Sequence, residues 1–227
     1  MTASSGRGIL VVFEGTEGVG KTTQVTRLVR RLEGAGIATD RFREPGGTPL
    51  GDQIRELLLD PAASDIRPRA EALLFMAARA QLADRVRSRL HDGRVVLLDR
   101  FFLSTYAYQI AGRGLPADAV RQANALAVDD LVPDVTLLLA CDLDVARART
   151  ASRGDLDRME QESRDFHERV TLGFLAAADP SWQRAHPEVG PVVRIDAGDD
   201  VDTVGGRIEA ALVDRWPETF KRLWESQ

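Results

Sequence analysis

Ile9-Leu10-Val11-Val12-Phe13-Glu14-Gly15-Thr16-Glu17-Gly18-Val19-Gly20-Lys21-Thr22-Thr23 is the stretch whose reading decides the fold. Its first five residues form a continuous apolar run of strand length, as in strands buried on both faces. Gly15 to Thr22 then fits G-x-x-x-x-G-K-[ST] at every fixed position. Glycines at those places let successive backbone N–H groups turn inward as an anion nest, and the helix that follows adds its positive N-terminus. Lys21 is placed to reach β- and γ-phosphates, and the Thr22 hydroxyl to ligate Mg²⁺. The plain alternative is a glycine-rich turn joining strand to helix. It leaves the lysine, the hydroxyl and the helical period Val25, Leu28, Val29, Leu32 unexplained.

The same pattern repeats outward from this segment. Val95-Val96-Leu97-Leu98, Val135-Thr136-Leu137-Leu138-Leu139 and Val192-Val193-Arg194-Ile195 read as strands, and residues 37–42, after the turn glycines Gly34 and Gly36, as a weaker one. A long helix is predicted over residues 68–90, with Leu74, Ala78, Leu82 and Val86 on one face. Strand–helix alternation predicts a three-layer α/β fold of the P-loop NTPase type, a five-stranded, mostly parallel sheet with helices on both faces. Ligands in such sheets bind beyond the carboxyl ends of the strands. The 227 residues read as one domain, with residues 1–7 expected to be flexible.

Composition narrows the function classes. Hydrophobic residues are 44% and charged residues 29%, a globular balance rather than a disordered or fibrous one. No apolar run approaches the ~18 residues of a membrane span, and no secretory signal opens the chain, so a cytoplasmic protein is expected. One cysteine and three scattered histidines offer neither a disulfide nor metal-ligand spacing. A net charge of −5 argues against a broadly basic nucleic-acid binder, although a few converging arginines could still hold an anionic ligand.

Five further groups of residues bear on a second substrate. Asp99-Arg100 ends a strand beside the phosphate loop, where the acid can organise Mg²⁺ or an attacking oxygen and the arginine can grip a phosphate bidentately. An ordinary ion pair at a strand end is the competing account. Arg43-Glu44-Pro45-Gly46-Gly47-Thr48 forms a sharp turn, with its X-Pro bond open to the cis form. Phe75 and Arg79 share a helical face, a plane to stack a base and a fork to read its edge, against the alternative of a core Phe and a solvated Arg. Ser104, Thr105 and Tyr108 converge on one side after Asp99-Arg100. Arg147, Arg149, Arg153 and Arg158 cluster in a segment that reads as a basic lid over residues 147–160, closing over phosphates, or else as a solvated basic helix face.

Taken together, Phe13-Glu14-Gly15-x-Glu17-Gly18-x-Gly20-Lys21-Thr22-Thr23, the Arg43 to Thr48 turn, Asp99-Arg100-Phe101 with Ser104-Thr105-x-Ala107-Tyr108-Gln109, and Arg153-Gly154-x-Leu156-Asp157-Arg158-x-Glu160 resemble bacterial thymidylate kinases over residues 8–212. The resemblance implies transfer of the γ-phosphoryl of ATP to dTMP, with Mg²⁺ at Thr22 and Asp99. Gly15, Thr16, Glu17, Gly18, Val19, Gly20, Lys21, Thr22 and Thr23 would bind ATP, with Arg149 and Arg153 behind them. Lys21, Asp99, Arg100, Arg153 and Arg158 would form the catalytic set. Glu17 would lie near the sugar 3′-hydroxyl, Arg43 and Arg100 would face the dTMP phosphate, and Pro45 would shape the turn beside it. Phe75 would stack on thymine, with Arg79 and Thr105 reading its edge, Tyr108 against C2′, and Ser104 and Gln109 nearby. A family variant carries an arginine at the position of Gly18, so the cation here is expected from the lid. The family is commonly dimeric, and the helix over residues 68–90 is a candidate contact. A kinase for another nucleotide and a nucleotide-dependent switch are the rival functions. Residues 179–190 match nothing assignable, and the tail 213–227 would cap the core or join a partner.

Overall fold

The computed structural model describes residues 7–151 and 156–225. Five parallel strands, β1 (Leu10–Glu14), β2 (Thr39–Arg43), β3 (Val95–Asp99), β4 (Val135–Ala140) and β5 (Val192–Asp196), form one sheet in the order β2-β3-β1-β4-β5. The mostly parallel expectation resolves to fully parallel.

The apolar runs are continuous because successive side chains feed two separate layers. Leu10, Val12, Val96 and Leu98 enter the layer beneath α3 (Pro68–His91), α5 (Ala117–Val128) and α7 (Arg164–Ala176). Val11, Phe13, Val95 and Leu97 enter the layer beneath α1 (Lys21–Gly34) and α9 (Val201–Arg215). β2 and β5 read weakly in sequence because they are the sheet edges. One side of each faces water, and polar residues such as Arg41 and Arg194 alternate in.

Three segments acquire a structure that the sequence pattern did not disclose. α2 (Pro49–Leu59) starts at Thr48, whose hydroxyl accepts from Gly51 N at 3.0 Å, with Pro49 in the first helical turn. α4 (Phe102–Thr105) runs into a π-helix at Tyr106–Gly112. Such widened turns concentrate at functional sites, and this one changes the α-helical spacing expected for Ser104, Thr105 and Tyr108. Residues 179–190 contain α8 (Pro180–Ala185), capped by Asp179, and a 3₁₀ turn at Pro187–Val189. Trp182 and His186 pack on Tyr106 at 5.1 and 4.7 Å between ring centroids.

The tail folds as α10 (Pro217–Phe220) and α11 (Arg222–Glu225), with Phe220 and Leu223 fully buried in the α1/α9 layer. Of the two alternatives for this segment, capping the core is the one these residues adopt. At the other end Arg7 forks onto Asp134 at 2.8 and 3.1 Å; residues 1–6, the rest of the segment expected to be flexible, lie outside the described residues. The first residues of the segment expected to form a lid lie in α6 (Leu143–Ala151). Among the described residues no helix is long and apolar enough to cross a membrane.

Candidate active site

A cleft of about 780 Å³ opens at the carboxyl ends of β1, β2 and β3, with the phosphate loop on one wall. The loop's glycines are needed for close approach. A Cβ at Gly15 would meet Leu139 O at 2.3 Å, and one at Gly18 would meet Ala146 O at 2.0 Å. The second contact also explains why no arginine stands at residue 18, since α6 backbone occupies the space beside it. Lys21 turns its Nζ onto the carbonyls of Gly15 (2.9 Å) and Thr16 (2.7 Å). Burial, followed by the charge of Arg100, lowers its pKa to about 8. The hydroxyl of Thr22 donates to Asp99 Oδ2 at 2.7 Å, joining helix α1 to the end of β3.

Arg100 follows immediately, in the left-handed region at φ 71°, a conformation that costs a non-glycine residue energy and persists only where neighbours enforce it. The neighbours are here. Its guanidinium donates to Gly15 O (3.1 Å), Ser104 Oγ (2.9 Å) and Glu17 Oε1 (2.9 Å), and lies 5.2 Å from the centre of the Tyr108 ring. Ser104 in turn donates to the buried Glu14 at 2.6 Å, while Glu14 also accepts from the backbone N–H of Phe101 and of Ser104. The Tyr108 hydroxyl donates to Glu17. Burial pushes the Glu17 carboxyl up, and Arg100 and then Lys21 outweigh it, so it ends below the usual carboxylate range. Tyr108 is buried against Phe166 and Phe174 of α7 at 6.2 and 5.9 Å, and that burial pushes its phenol up. Close approach of α7 requires Gly173, where a Cβ would lie 2.9 Å from Ala107 Cα.

The opposite wall comes from β2, α2 and α3. Glu44-Pro45 is a cis peptide. Arg43 is exposed at the cleft, and Arg55 of α2 reaches the same space, donating to Pro45 O at 3.0 Å. Burial, with Arg43's charge next, lowers the pKa of Arg55. Arg55 was not among the residues expected from sequence. The signal for it was the Thr48-Pro49 helix start, which places Arg55 one residue after the buried Ile54 and three before the buried Leu58.

Two arginines expected at the site are tied into the protein's own network. Arg79 is buried, and all five of its N–H groups have protein partners. Nε and NH2 fork onto Glu44 at 2.6 and 2.9 Å, NH2 also reaches Phe101 O at 3.1 Å, and NH1 meets Asn124 Oδ1 at 2.9 Å and Met76 Sδ at 3.6 Å. It is not a solvated arginine: it clamps α3, α5 and the turn after β2, and it lines the cleft together with Phe75. Arg158 is likewise buried, donating to Leu58 O (2.7 Å) and Glu71 Oε2 (2.8 Å), so in this structure it braces α2 against α3. Phe75, Thr105 and Gln109 do line the cleft, as does Arg149, which donates to the carbonyls of Ala197, Gly198 and Asp199 after β5. Arg153 lies outside the described residues.

Thr22 and Asp99 present hard oxygen donors at the mouth of the phosphate nest, a donor set that fits Mg²⁺.

The family model described as thymidylate kinase matches residues 13–188 of this chain. The chain is 44% identical to the thymidylate kinase of Deinococcus radiodurans, over 92% of its own length and 98% of that protein's. It is 47% identical to that of Thermomicrobium roseum, over 82% and 90%, and 46% identical to that of Leifsonia xyli subsp. xyli, over 90% and 94%. With a phosphate loop and a second, arginine-lined pocket opening into one cleft, and with these similarities over most of its length, the chain belongs to the thymidylate kinase family.

Proposed function

We propose that the chain is a phosphotransferase that moves the γ-phosphoryl group of ATP to dTMP, giving ADP and dTDP. Membership of the thymidylate kinase family supports the reaction. At the level of residues, the observation that carries it is Arg100. It is held in a left-handed conformation between the phosphate loop and the second pocket, where one cation can serve both phosphates.

The chemistry asks little of the protein beyond placement and charge. A phosphate monoester has a second pKa near ~6, so the acceptor is already an oxyanion nucleophile at neutral pH and no strong general base is needed. The obstacle is repulsion between two anions held in line. In this reading the nest of Gly15 to Thr22 holds the ATP phosphates. Lys21 exchanges its two loop carbonyls for phosphate oxygens. Arg43, Arg55 and Arg100 take the dTMP phosphate, and Asp99 and Thr22 hold Mg²⁺. Bound there, Mg²⁺ would neutralise charge on the triphosphate. Phe75 stacks on the base, and the Tyr108 ring, fixed through Glu17 and Arg100, closes the space beside the sugar's C2′. Arg153 remains the candidate lid cation.

A homodimer belongs to the same proposal. The outer face of α3 carries Ala70, Leu73 and Ala77 with Leu73 62% exposed, and Leu57 of α2 and Leu126 of α5, on the helices packed against α3, are exposed as well. A second copy is the natural cover for so apolar a face.

The test is ADP release from ATP and Mg²⁺ with dTMP, dUMP, UMP, dCMP, dGMP or no acceptor. Strong turnover with dTMP, weaker with dUMP by the ~1–3 kcal/mol of one methyl contact, and negligible with UMP is expected. Equal ADP release without an acceptor would contradict the proposal.

A further inference from the structure

Glu14 closes β1 with its side chain fully buried, so it meets no substrate and can act only through its neighbours. Those neighbours include the backbone beside a residue that does face the cleft. The β1–β3 ladder ends where Phe13 pairs with Asp99. The peptide before Arg100 is held by its N–H on Phe13 O at 2.9 Å, and the peptide after it by the N–H of Phe101 on Glu14 Oε1 at 2.8 Å. With both peptide planes anchored on consecutive residues of β1, the Arg100 torsions between them are set, and φ falls in the left-handed region at 71°. Release of the second anchor would let Arg100 relax toward the conformations that a residue with a Cβ prefers.

Glu14 also reaches the other end of Arg100. Its Oε1 accepts the N–H of Ser104 at 3.0 Å, and its Oε2 accepts the Ser104 hydroxyl at 2.6 Å. Ser104 Oγ in turn accepts from Arg100 NH1 at 2.9 Å. A guanidinium can only donate and an ionised carboxylate can only accept, so the hydroxyl between them has one sense, its proton toward Glu14 and a lone pair toward Arg100. Burial pushes the Glu14 carboxyl up, and the charge of Arg100, the Ser104 hydroxyl and the two backbone N–H groups oppose that rise. One carboxylate thus fixes both the backbone and the guanidinium of Arg100.

We propose that Glu14 is a positioning residue for the acceptor phosphate: by holding the N–H of Phe101 and the hydroxyl of Ser104, it keeps Arg100 in the left-handed turn that aims its guanidinium into the cleft. This deepens the phosphotransferase reading and rests on it. A cation that has to be ordered as its phosphate arrives spends binding energy on that ordering, whereas one already in place does not.

The experiment compares the dissociation constants of dTMP and of thymidine, which lacks the phosphate, in the wild type, Glu14→Gln, Glu14→Asp, Arg100→Met and the two double variants. Glu14→Gln keeps the shape but turns an amide nitrogen toward Ser104, whose hydroxyl proton then loses its acceptor. Glu14→Asp keeps the charge but is one methylene too short to hold Phe101 and Ser104 together. In both, the preference for dTMP over thymidine falls about tenfold or more, because Arg100 acts on the phosphate and not on the nucleoside. A general loosening of the fold would weaken both ligands alike and leave that ratio unmoved. On the Arg100→Met background neither substitution lowers the ratio further. An unmoved ratio in either single variant, or an equal drop on the Arg100→Met background, overturns the proposal. Melting curves verify folding, and the two substitutions put different demands on it, one removing the charge and the other the reach. A wild-type enzyme idle on dTMP would contradict the proposed function itself. An active one whose ratio survives loss of the Glu14 side chain's reach contradicts only the role of Glu14.

Discussion

At the donor end of the cleft a single lysine folds back onto the carbonyls of Gly15 and Thr16, whereas around the acceptor end Arg79, Arg100 and Arg158 are each set by a different carboxylate, Glu44, Glu17 and Glu71. The donor site is made of backbone, and its side chain gives up only weak, replaceable partners when a phosphate arrives. The acceptor site is made of side chains, and the acid beside each arginine decides whether it faces the cleft or braces the fold. Arg79 and Arg158 are buried at 1% and 9% exposure and bonded to Glu44 and Glu71, while Arg100 lies at the cleft in a strained conformation. Similar guanidinium groups therefore do different jobs within one small region.

The largest effect should come from the donor end. Lys21→Ala is expected to lower kcat by roughly 10³–10⁵, the scale on which comparable cations act in phosphoryl transfer, with an unchanged melting temperature. Near-normal turnover would remove Lys21 from the mechanism. Arg79→Met should do the reverse, acting on stability. It leaves Glu44 buried without its partner, at a cost of ~3–5 kcal/mol, which lowers the melting temperature by roughly 10 °C in a domain of this size. Unchanged melting with a raised KM for dTMP would return Arg79 to the base edge.

The same contrast sets how much was legible in advance. The three central strands and the mostly parallel pairing could be read because each central apolar run serves two buried layers, and the phosphate loop because a backbone nest demands glycines at fixed spacing. Thr22 and Asp99 followed from position at adjacent strand ends. The carboxylate partners of Arg79 and Arg158 could not be read for a common reason. Spacing shows which face of a helix carries an arginine but not that Glu44, at the far end of a turn, or Glu71, on another helix, will claim it. The π-helix at Tyr106–Gly112 was invisible because its widening follows from packing on Gly173 and the aromatic rings of α7, not from a local propensity.

A smaller effect sharpens the donor end through pH. Because burial and Arg100 hold Lys21 at a pKa of about 8 against 10.5 for a free lysine, the unfolded chain binds more protons across that window, and this lysine's contribution to stability rises with pH from 8 to 10.5. Triphosphate favours the charged form, so ATP affinity should hold below pH 8 and weaken above it by up to about tenfold per unit. Calorimetry in buffers of different ionisation heat should register proton uptake on binding at pH 9. Uptake that persists in Lys21→Met would assign it to another group. The smallest change belongs to Ser104→Ala, which removes one hydrogen bond from Arg100 and should raise the KM for dTMP only several-fold, about 1 kcal/mol. No change would mean that Gly15, Glu17 and Tyr108 hold Arg100 without it.

The division of labour among the arginines is tested most directly by the dTMP dependence of Arg100→Ala and Arg158→Ala, measured beside their melting curves. The account predicts that Arg100→Ala loses about ten- to hundredfold in kcat/KM for dTMP while melting within a few degrees of the wild type. Arg158→Ala should instead melt lower and retain kcat/KM within a few-fold per folded molecule. An Arg158→Ala protein that melts normally but turns over orders of magnitude more slowly would contradict it and restore Arg158 to the lid.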